Sequence, residues 1–429
     1  MRKISNFANI FKYITIAQVF FDKTIINMSN NHNIALSRRV QVMAESETLK
    51  MAKMARELRA EGHDVISLSL GEPDFDTPEH IKTMAKKALD EGHTKYTPVS
   101  GTLDIRKAIV QKFKRDNNLQ FSENQIVVSN GAKQSIFNLC QVLLDPGDEC
   151  IIFAPYWVSY AEIVRMAEGV PVLAKAGIEQ DFKVTAEQVE AAITKRTKMV
   201  LFSSPCNPTG SVYLKEELEA IAAVIAKYDN IYIVADEIYE YINFTGSHAS
   251  IGAVEVVKDR VITVNGFAKG FAMTGWRLGY IGAPAAIAAA CEKVQGQITS
   301  GATAFGQAAG AYALLADLTP TYMMRDEFLK RRDLIISLLN EIPGIKTNVP
   351  EGAFYVFPDI SYYFGKTDGK NVIENADDFC DYLMLNAYVG LVSGNAFGDP
   401  NCFRLSYAAS EVQLREAARR IKEFLAKLK

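Results

Sequence analysis

The sequence of 429 residues has few of the features that mark secreted, metal-binding or nucleic-acid-binding proteins. Its six cysteines contain no CxxC pair, and its five histidines form no HExxH spacing. We therefore expect no disulfide framework, no metal site and a reducing, cytoplasmic location. The formal net charge of -3 gives no electrostatic reason to bind nucleic acid or an anionic membrane.

Long apolar runs are also missing, even from the N-terminal stretch that differs most from the rest of the chain. The longest apolar run there, residues 13–21, contains Thr15 and Gln18. It is far shorter than the roughly 20 apolar residues of a membrane span. Basic residues precede it as in a signal peptide, but no small-residue cleavage site follows. We expect residues 1–35 to be an extension outside the fold, with the functional chain beginning near Met28.

The middle of the chain alternates short apolar, β-branched segments with amphipathic ones. Continuous apolar strands between helices indicate a mainly parallel sheet covered on both faces. The predicted strands are residues 125–130, 150–155, 169–176, 197–205, 231–237, 260–267 and 278–284.

The two flanking regions have a different pattern of predicted helices, turns and strands, which indicates a second, smaller domain. Residues 36–79 carry one helix and the turn-rich "LGEPDFDTP", and the tail from about 320 mixes helices with short strands. We expect an α/β fold with a large domain over residues 80–319. The small α+β domain is assembled from both chain ends, residues 36–79 and 320–429.

Unusual residues gather where the predicted parallel strands end, the edge at which such sheets bind ligands. "SNGAKQ" leads into a helix N-terminus whose amides can meet an anion. No GxGxxG follows a first strand and no GxxxxGK[ST] is present, so neither a dinucleotide nor a nucleoside triphosphate is indicated. Four further stretches are "SSPCNPTG" with Asn207, "VADEIYEYI" with Asp236 and Tyr239, "NGFAKGFAMTGWRLGY" with Lys269 and Arg277, and "FRLSYA" with Arg404.

Taken jointly, NPTG, DEIY, a lysine eight residues before an arginine, and a late RLS resemble one family. From about Leu36 onward the chain is similar to the class I aminotransferases of pyridoxal-phosphate fold type I. Within that class it is most similar to the subgroup of bacterial aspartate and aspartate/prephenate aminotransferases. The resemblance implies the cofactor pyridoxal 5'-phosphate, small amino and 2-oxo acids as substrates, and a homodimer with shared active sites.

The resemblance assigns catalytic roles to residues that the strand ends supply. Lys269 would form the Schiff base with the cofactor and move the substrate proton, and an apolar loop favours the neutral amine that this requires. Asp236 would keep the pyridine nitrogen protonated. Tyr239 and Asn207 would bind the phenolic oxygen, and Arg277 the phosphate.

The remaining cofactor contacts implied by the resemblance surround the phosphate and the ring. The amides at Gly131, Ala132 and Lys133 would join Arg277 at the phosphate, together with Tyr96 of a neighbouring subunit. Many relatives place a serine hydroxyl three residues before the lysine, where this chain has Gly266, so one phosphate contact is in doubt. Trp157 would lie against the pyridine ring.

Substrate binding follows from the same resemblance. Arg404 would grip the α-carboxylate as a bidentate pair. This chain has no arginine between Arg277 and Arg325 to hold the distal carboxylate, so that task would pass to Thr48 and Lys133, as in the aspartate/prephenate subgroup. The implied substrate contacts are Gly71, Thr48, Lys133, Trp157, Asn207 and Arg404.

We expect ping-pong transamination between aspartate and 2-oxoglutarate, with prephenate as a further acceptor. An aminotransferase for aromatic amino acids or alanine would keep Lys269, Asp236 and Arg404 and change only the side-chain pocket. A β-lyase would direct the same chemistry into elimination. A regulator that binds the cofactor without turnover would need a DNA-binding module, for which the extension gives no signal. A lysine-only aldolase would have no use for Asp236.

Overall fold

The computed structural model describes residues 36–41 and 43–429, so the prediction for residues 1–35 lies outside the described residues. The described residues up to Ala44 belong to a separate unit, and residues 45–429 form one compact unit. Within the described residues, no helix is long and apolar enough to cross a membrane.

Thirteen α-helices lie in the described residues, and several of them begin at a capping residue. Thr102 accepts a hydrogen bond from the amide of Ile105, and Ser410 forms a capping box with Gln413, so the starts of these two helices are fixed by local sequence. The helices are α1 Arg38–Gln41, α2 Glu47–Ala60, α3 Glu79–Asp90, α4 Leu103–Asn117, α5 Ala132–Leu143, α6 Ser159–Met166, α7 Ala186–Ala192, α8 Lys215–Ile225, α9 Ala285–Gly296, α10 Ala304–Leu315, α11 Thr319–Asn340, α12 Ala376–Tyr382 and α13 Glu411–Leu425.

Twelve strands lie in the same part of the chain, in three sheets. They are β1 Ile66–Ser67, β2 Ile126–Ser129, β3 Glu149–Ala154, β4 Val170–Lys175, β5 Thr197–Ser203, β6 Tyr232–Asp236, β7 Val261–Gly266, β8 Gly279–Gly282, β9 Tyr355–Val356, β10 Val389–Gly390, β11 Val392–Ser393 and β12 Phe403–Ser406. All seven predicted strand segments of the middle region are present.

The central sheet has the strand order β2-β8-β7-β6-β5-β3-β4. Its pairs are parallel except for β8, which runs antiparallel to both β2 and β7. The mainly parallel α/β sheet predicted from the sequence is therefore confirmed. Ser203 is in register with Asp236, and Asp236 with Val264, so the carboxyl ends of three neighbouring strands meet at one edge.

The burial of the strand residues explains why the sequences of these strands are continuous apolar runs. Every residue of β3, β7 and β8 is buried, because helices cover both faces of the sheet. On one face of the sheet, an apolar cluster includes residues of α5, α6 and α9. On the other face, one cluster includes residues of α7 and α8, and another includes residues of α3, α4 and α10. The sheet is thus a rigid support for its carboxyl edge.

A second core joins the two ends of the compact unit. It contains residues of α2, β1, α11, α12 and α13, and β1 pairs in parallel with β10 through Ile66 and Val389. Strands β11, β12 and β9 form an antiparallel sheet. The smaller α+β part built from both chain ends is therefore present, while its exact boundaries at residues 79/80 and 319/320 stay a prediction.

Candidate active site

A cavity of about 390 Å³ opens at the carboxyl edge of the central sheet. It also receives side chains from α2, from the turn at residues 70–72 and from β12 of the antiparallel sheet. Every predicted site residue except Tyr96 lines it. These residues are Thr48, Gly71, Gly131, Ala132, Lys133, Trp157, Asn207, Asp236, Tyr239, Lys269, Arg277 and Arg404.

Lys269 lies in the loop that follows β7, with its ammonium inside the cavity. Nζ donates to the carbonyl oxygen of Gly71 and lies 5.5 Å from the centre of the Tyr239 ring. Burial, followed by the charge of Arg404, lowers the pKa of Lys269 to about 8. A substantial fraction of the amine is therefore neutral and nucleophilic near neutral pH.

Asp236 is the last residue of β6 and only 4% exposed. Its Oδ2 accepts a hydrogen bond of 2.7 Å from the hydroxyl of Tyr160, and its Oδ1 one of 3.2 Å from the amide of Ile238. Burial raises the pKa of Asp236 to about 6, and these two hydrogen bonds oppose the rise. A buried carboxylate in this state is stabilised by a protonated nitrogen brought beside it.

Tyr239 and Asn207 face the cavity from neighbouring strand ends. The hydroxyl of Tyr239 lies 2.7 Å from that of Tyr355, and burial raises the pKa of Tyr239 well above its ordinary value. Tyr239 therefore stays a neutral hydrogen-bond donor. Asn207 uses its Oδ1 to accept from Arg404 at 2.9 Å, so its NH2 is the group through which it can bind an oxygen.

Arg404 is a buried arginine on β12, 2% exposed. Nη1 donates to Asn207 and Nη2 to the carbonyl of Ser69, while Nε is buried without a hydrogen-bond partner. Among the described residues no carboxylate lies within ion-pair distance of Arg404. A buried cation is costly without a counter-ion, and a carboxylate that enters the cavity would supply one.

The start of α5 and Arg277 together form a cradle for an anion. Arg277 donates from Nη1 to the carbonyl of Thr274 at 2.9 Å and from Nη2 to that of Asn130 at 3.4 Å. Gly131 has a φ of +83°, and a Cβ there would lie 2.5 Å from Nη2 of Arg277. Only glycine lets the guanidinium lie against the helix start, where free amides and the helix dipole favour a phosphate.

The position three residues before Lys269 has no room for a serine and its hydroxyl. A Cβ on Gly266 would lie 2.9 Å from the carbonyl oxygen of Leu278 and 3.0 Å from Cα of Gly279. Gly266 pairs with Gly279 between β7 and β8. Close strand packing therefore accounts for the glycine, and the anion cradle is built without that hydroxyl.

The outer part of the cavity holds a second cation without an acidic partner. Nζ of Lys133 lies 4.8 Å from the centre of the Trp157 ring, and no carboxylate in residues 36–41 or 43–429 forms an ion pair with it. Burial and the charge of Arg277 lower the pKa of Lys133. Thr48, on α2, lines the same cavity.

Tyr96 is the one predicted site residue that lies outside the cavity. It is 99% exposed, so it does not complete the site of its own chain. Its predicted contact with a neighbouring subunit stays a prediction.

The cavity also contains side chains that the sequence did not single out. Tyr160 supports Asp236, Tyr355 supports Tyr239, and Thr274 donates to Glu72 at the cavity wall. No motif pointed to Tyr160, because Trp157 lies before α6, which begins at Ser159, and the two residues do not share a helix. Tyr355 lay in a stretch that predicted only a strand.

Comparison with known proteins agrees with this site. A family model described as aminotransferase class I and II matches residues 63–421. The aspartate/prephenate aminotransferase of Nitrosomonas europaea is 46% identical over 394 residues, which cover 91% of this chain and 99% of the relative. A bifunctional aspartate aminotransferase and glutamate/aspartate-prephenate aminotransferase of Petunia hybrida is 44% identical, with 92% of this chain and 84% of the relative covered.

Solved structures show the same fold. The crystal structure of an aspartate aminotransferase from Rhizobium meliloti superposes with a TM-score of 0.90 at 42% identity, covering 92% of this chain and 100% of that one. An aspartate aminotransferase of Thermus thermophilus, solved with maleate, gives 0.86 at 42% identity, with 91% and 100% covered.

Proposed function

Because the chain belongs to the aminotransferase class I and II family, we propose that it moves an amino group reversibly between aspartate and 2-oxoglutarate with pyridoxal phosphate as cofactor. The relatives whose names include prephenate support prephenate as a further acceptor. The reaction is ping-pong, since the amino group leaves one acid before the second acid binds.

The donor set of the cavity fits pyridoxal phosphate. Arg277 and the amides at the start of α5 would hold its phosphate, Asp236 its ring nitrogen, and Tyr239 and Asn207 its phenolic oxygen. When bound, the cofactor supplies an aldehyde that takes up the amino group and a ring that accepts electrons from the substrate α-carbon. Trp157 is placed to cover the ring.

Lys269 is the residue that binds covalently and moves protons. Its Nζ, with a pKa lowered to about 8 by burial, is a nucleophile toward an aldehyde at neutral pH. Released from that bond, the same nitrogen would take the proton from the substrate α-carbon and return it as the amino group is transferred. Asp236, to which Tyr160 donates, would hold its negative charge beside the ring nitrogen of the bound cofactor.

The unneutralised guanidinium of Arg404 is the observation that carries the proposed substrate class. An amino or 2-oxo acid brings a carboxylate that can pair with it in a bidentate geometry. Such a pair fixes the orientation of the α-carbon relative to Lys269. The proposal thus accounts for a buried charge that no carboxylate of the described residues balances.

The cation of Lys133 supports a substrate with a second carboxylate. Aspartate, glutamate and prephenate have one, whereas alanine and phenylalanine do not. Maleate, with which the Thermus thermophilus enzyme was solved, is also a dicarboxylate. Thr48 is a small donor that lines the same cavity, so that Thr48 and Lys133 together could bind dicarboxylates of different bulk.

The proposal includes a homodimer and a cytoplasmic location. An aromatic side chain exposed to 99%, such as Tyr96, suits a contact with the cavity of a second subunit. All six cysteines are buried free thiols, the form that a reducing compartment maintains.

The test is a spectrum followed by a substrate panel. Purified protein with pyridoxal phosphate should absorb in the visible range and change its spectrum on addition of aspartate. Donors aspartate, glutamate, alanine and phenylalanine are then paired with 2-oxoglutarate and prephenate, and kcat/KM is measured for each pair. The highest value is expected for aspartate with 2-oxoglutarate. A colourless protein would refute the cofactor, and a preference for alanine or phenylalanine would refute the dicarboxylate pocket.

A further inference from the structure

A buried group of charged residues lies directly behind the strand end that carries Asp236 and Tyr239. We call Lys112, Asn117, Glu237, Glu240 and His248 the rear cluster. None of them lines the cavity. Lys112 is 0% exposed, and the side chain of His248 is 8% exposed, so this is a built interior feature rather than a wet surface.

The sequence DEIYE divides its side chains between the cavity and the rear cluster. Asp236 and Tyr239 line the cavity, whereas Glu237 and Glu240 turn to the rear cluster. A tight turn enforces this division, because the amide of Glu240 donates to the carbonyl of Glu237 at 2.9 Å. Any movement of the two glutamates is therefore passed to the two cavity residues through one or two peptide bonds.

Two segments of the chain hold the glutamates in place. Asn117, at the end of α4, donates from one NH2 group to Glu237 at 2.9 Å and to Glu240 at 2.7 Å. Lys112, on the same helix, forms an ion pair with Glu240 and donates to Oδ1 of Asn117 at 2.5 Å. From the loop after the turn, Nε2 of His248 lies 2.9 Å from Glu237.

The charges of the rear cluster balance only if His248 carries a proton. Its charged neighbours are Glu237 and Glu240 on the turn and Lys112 on α4. Burial has the largest influence on the pKa of His248 and lowers it, but the carboxylates of Glu237 and Glu240 together outweigh burial and raise this pKa above its ordinary value. The ligand atoms of Glu237, Glu240 and His248 lie within 4.8 Å of one another, yet the ammonium of Lys112 already serves as the cation there.

We propose that the rear cluster positions Asp236 and Tyr239, with the pair of Glu237 and His248 as its outer lock. The inference rests on the proposed function, because those two cavity residues are the ones assigned to the ring of the cofactor. Loss of the positive charge at His248 leaves Glu237 buried and uncompensated, which is costly. The turn then relaxes and the carboxylate of Asp236 leaves its place.

The test replaces His248 in the full-length protein and measures cofactor affinity as well as rate. His248→Gln should raise the dissociation constant of pyridoxal phosphate about tenfold and lower kcat about tenfold, with KM for aspartate changed less than about twofold. In the wild type the dissociation constant should rise as the pH passes the pKa of His248, and the variant should lack this step. His63→Gln, at a half-buried histidine outside the cavity and the rear cluster, is the matched control.

A double variant distinguishes the effect of an uncompensated charge from a general loss of structure. His248→Gln with Glu237→Gln removes both charges and should return the dissociation constant and kcat to within about threefold of the wild type. If the single variant fails to fold, a folded and active double variant still supports the lock. A single variant that loses thermal stability but keeps wild-type affinity and kcat would overturn the inference. Wild-type protein that binds no cofactor would instead refute the proposed function.

Discussion

The cations on the two sides of the turn at residues 236–240 differ in whether they form ion pairs with carboxylates. Behind the turn, Lys112 contacts Glu240 and Asn117 and lies 3.9 Å from Asp116. On the cavity side, Arg404, Lys133 and Lys269 form no ion pair with any carboxylate in the described part of the chain. A cation that is paired with a buried carboxylate holds the fold together, whereas the cavity cations, which have no ion pair among the described residues, are available to a ligand.

The largest effect that this comparison predicts is on catalysis. Lys269→Ala should lower kcat by about 10⁴-fold or more, since it removes both the nucleophile and the proton carrier. The protein should still fold and bind pyridoxal phosphate without a covalent bond, because Lys269 forms no ion pair with a carboxylate in residues 36–41 or 43–429. Steady-state transamination and equilibrium dialysis measure the two outcomes, and persistent turnover would show that another residue is the nucleophile.

A substitution in the rear cluster should lower the stability of the folded protein. Lys112→Met leaves Glu240 buried without its cation, so the free energy of unfolding should fall by about 3–5 kcal/mol. Denaturant unfolding of the cofactor-free protein measures the change. Adding Glu240→Gln to this variant should recover part of the loss, and a loss below about 1 kcal/mol would mean that Lys112 is not an integral part of the buried network.

Only the cavity side of this comparison could be predicted from the sequence. The cavity residues could be predicted because they follow strands of one parallel sheet, whose carboxyl ends meet at one edge. Asp236 is the last residue of β6, and Asn207 and Lys269 lie in the loops that follow β5 and β7. Arg404 lies on a different sheet and was identified only by resemblance, and the structure brings it to Asn207 across 197 residues of sequence.

The rear cluster could not be predicted in this way. Lys112 lies among helical residues where a lysine is ordinarily exposed, and its partner Glu240 is 128 positions further along the chain. The roles of Tyr160 and Tyr355 were hidden for the same reason, since neither tyrosine stands in a motif with the residue that it supports. Pairing between distant elements depends on packing, which local periodicity does not encode.

Replacement of Arg404 should have the opposite pattern of effects from replacement of Lys112, with a large loss of catalysis and a small change in stability. Arg404→Met should lower kcat/KM for aspartate by about 10²–10³-fold through loss of the α-carboxylate pair. Its free energy of unfolding should change by less than about 2 kcal/mol, because the loss of two hydrogen bonds to neutral acceptors is offset by the removal of a buried cation that has no ion pair among the described residues. A fall in stability as large as that expected for Lys112→Met would break the comparison between the two sides.

Lys133 should give the smallest effect and the sharpest information on specificity. It lies over Trp157 with one side of its ammonium open to the cavity, so its ion pair with a distal carboxylate is partly solvated. Lys133→Ala should raise KM for aspartate and 2-oxoglutarate about tenfold, equivalent to ~1.4 kcal/mol, and leave KM for an uncharged amino acid nearly unchanged. Lys53→Ala, an exposed position on α2, is the control and should match the wild type. Equal effects on charged and uncharged substrates would place Lys133 with the phosphate cradle, because a cation that serves the cofactor cannot distinguish between the acids that react with it.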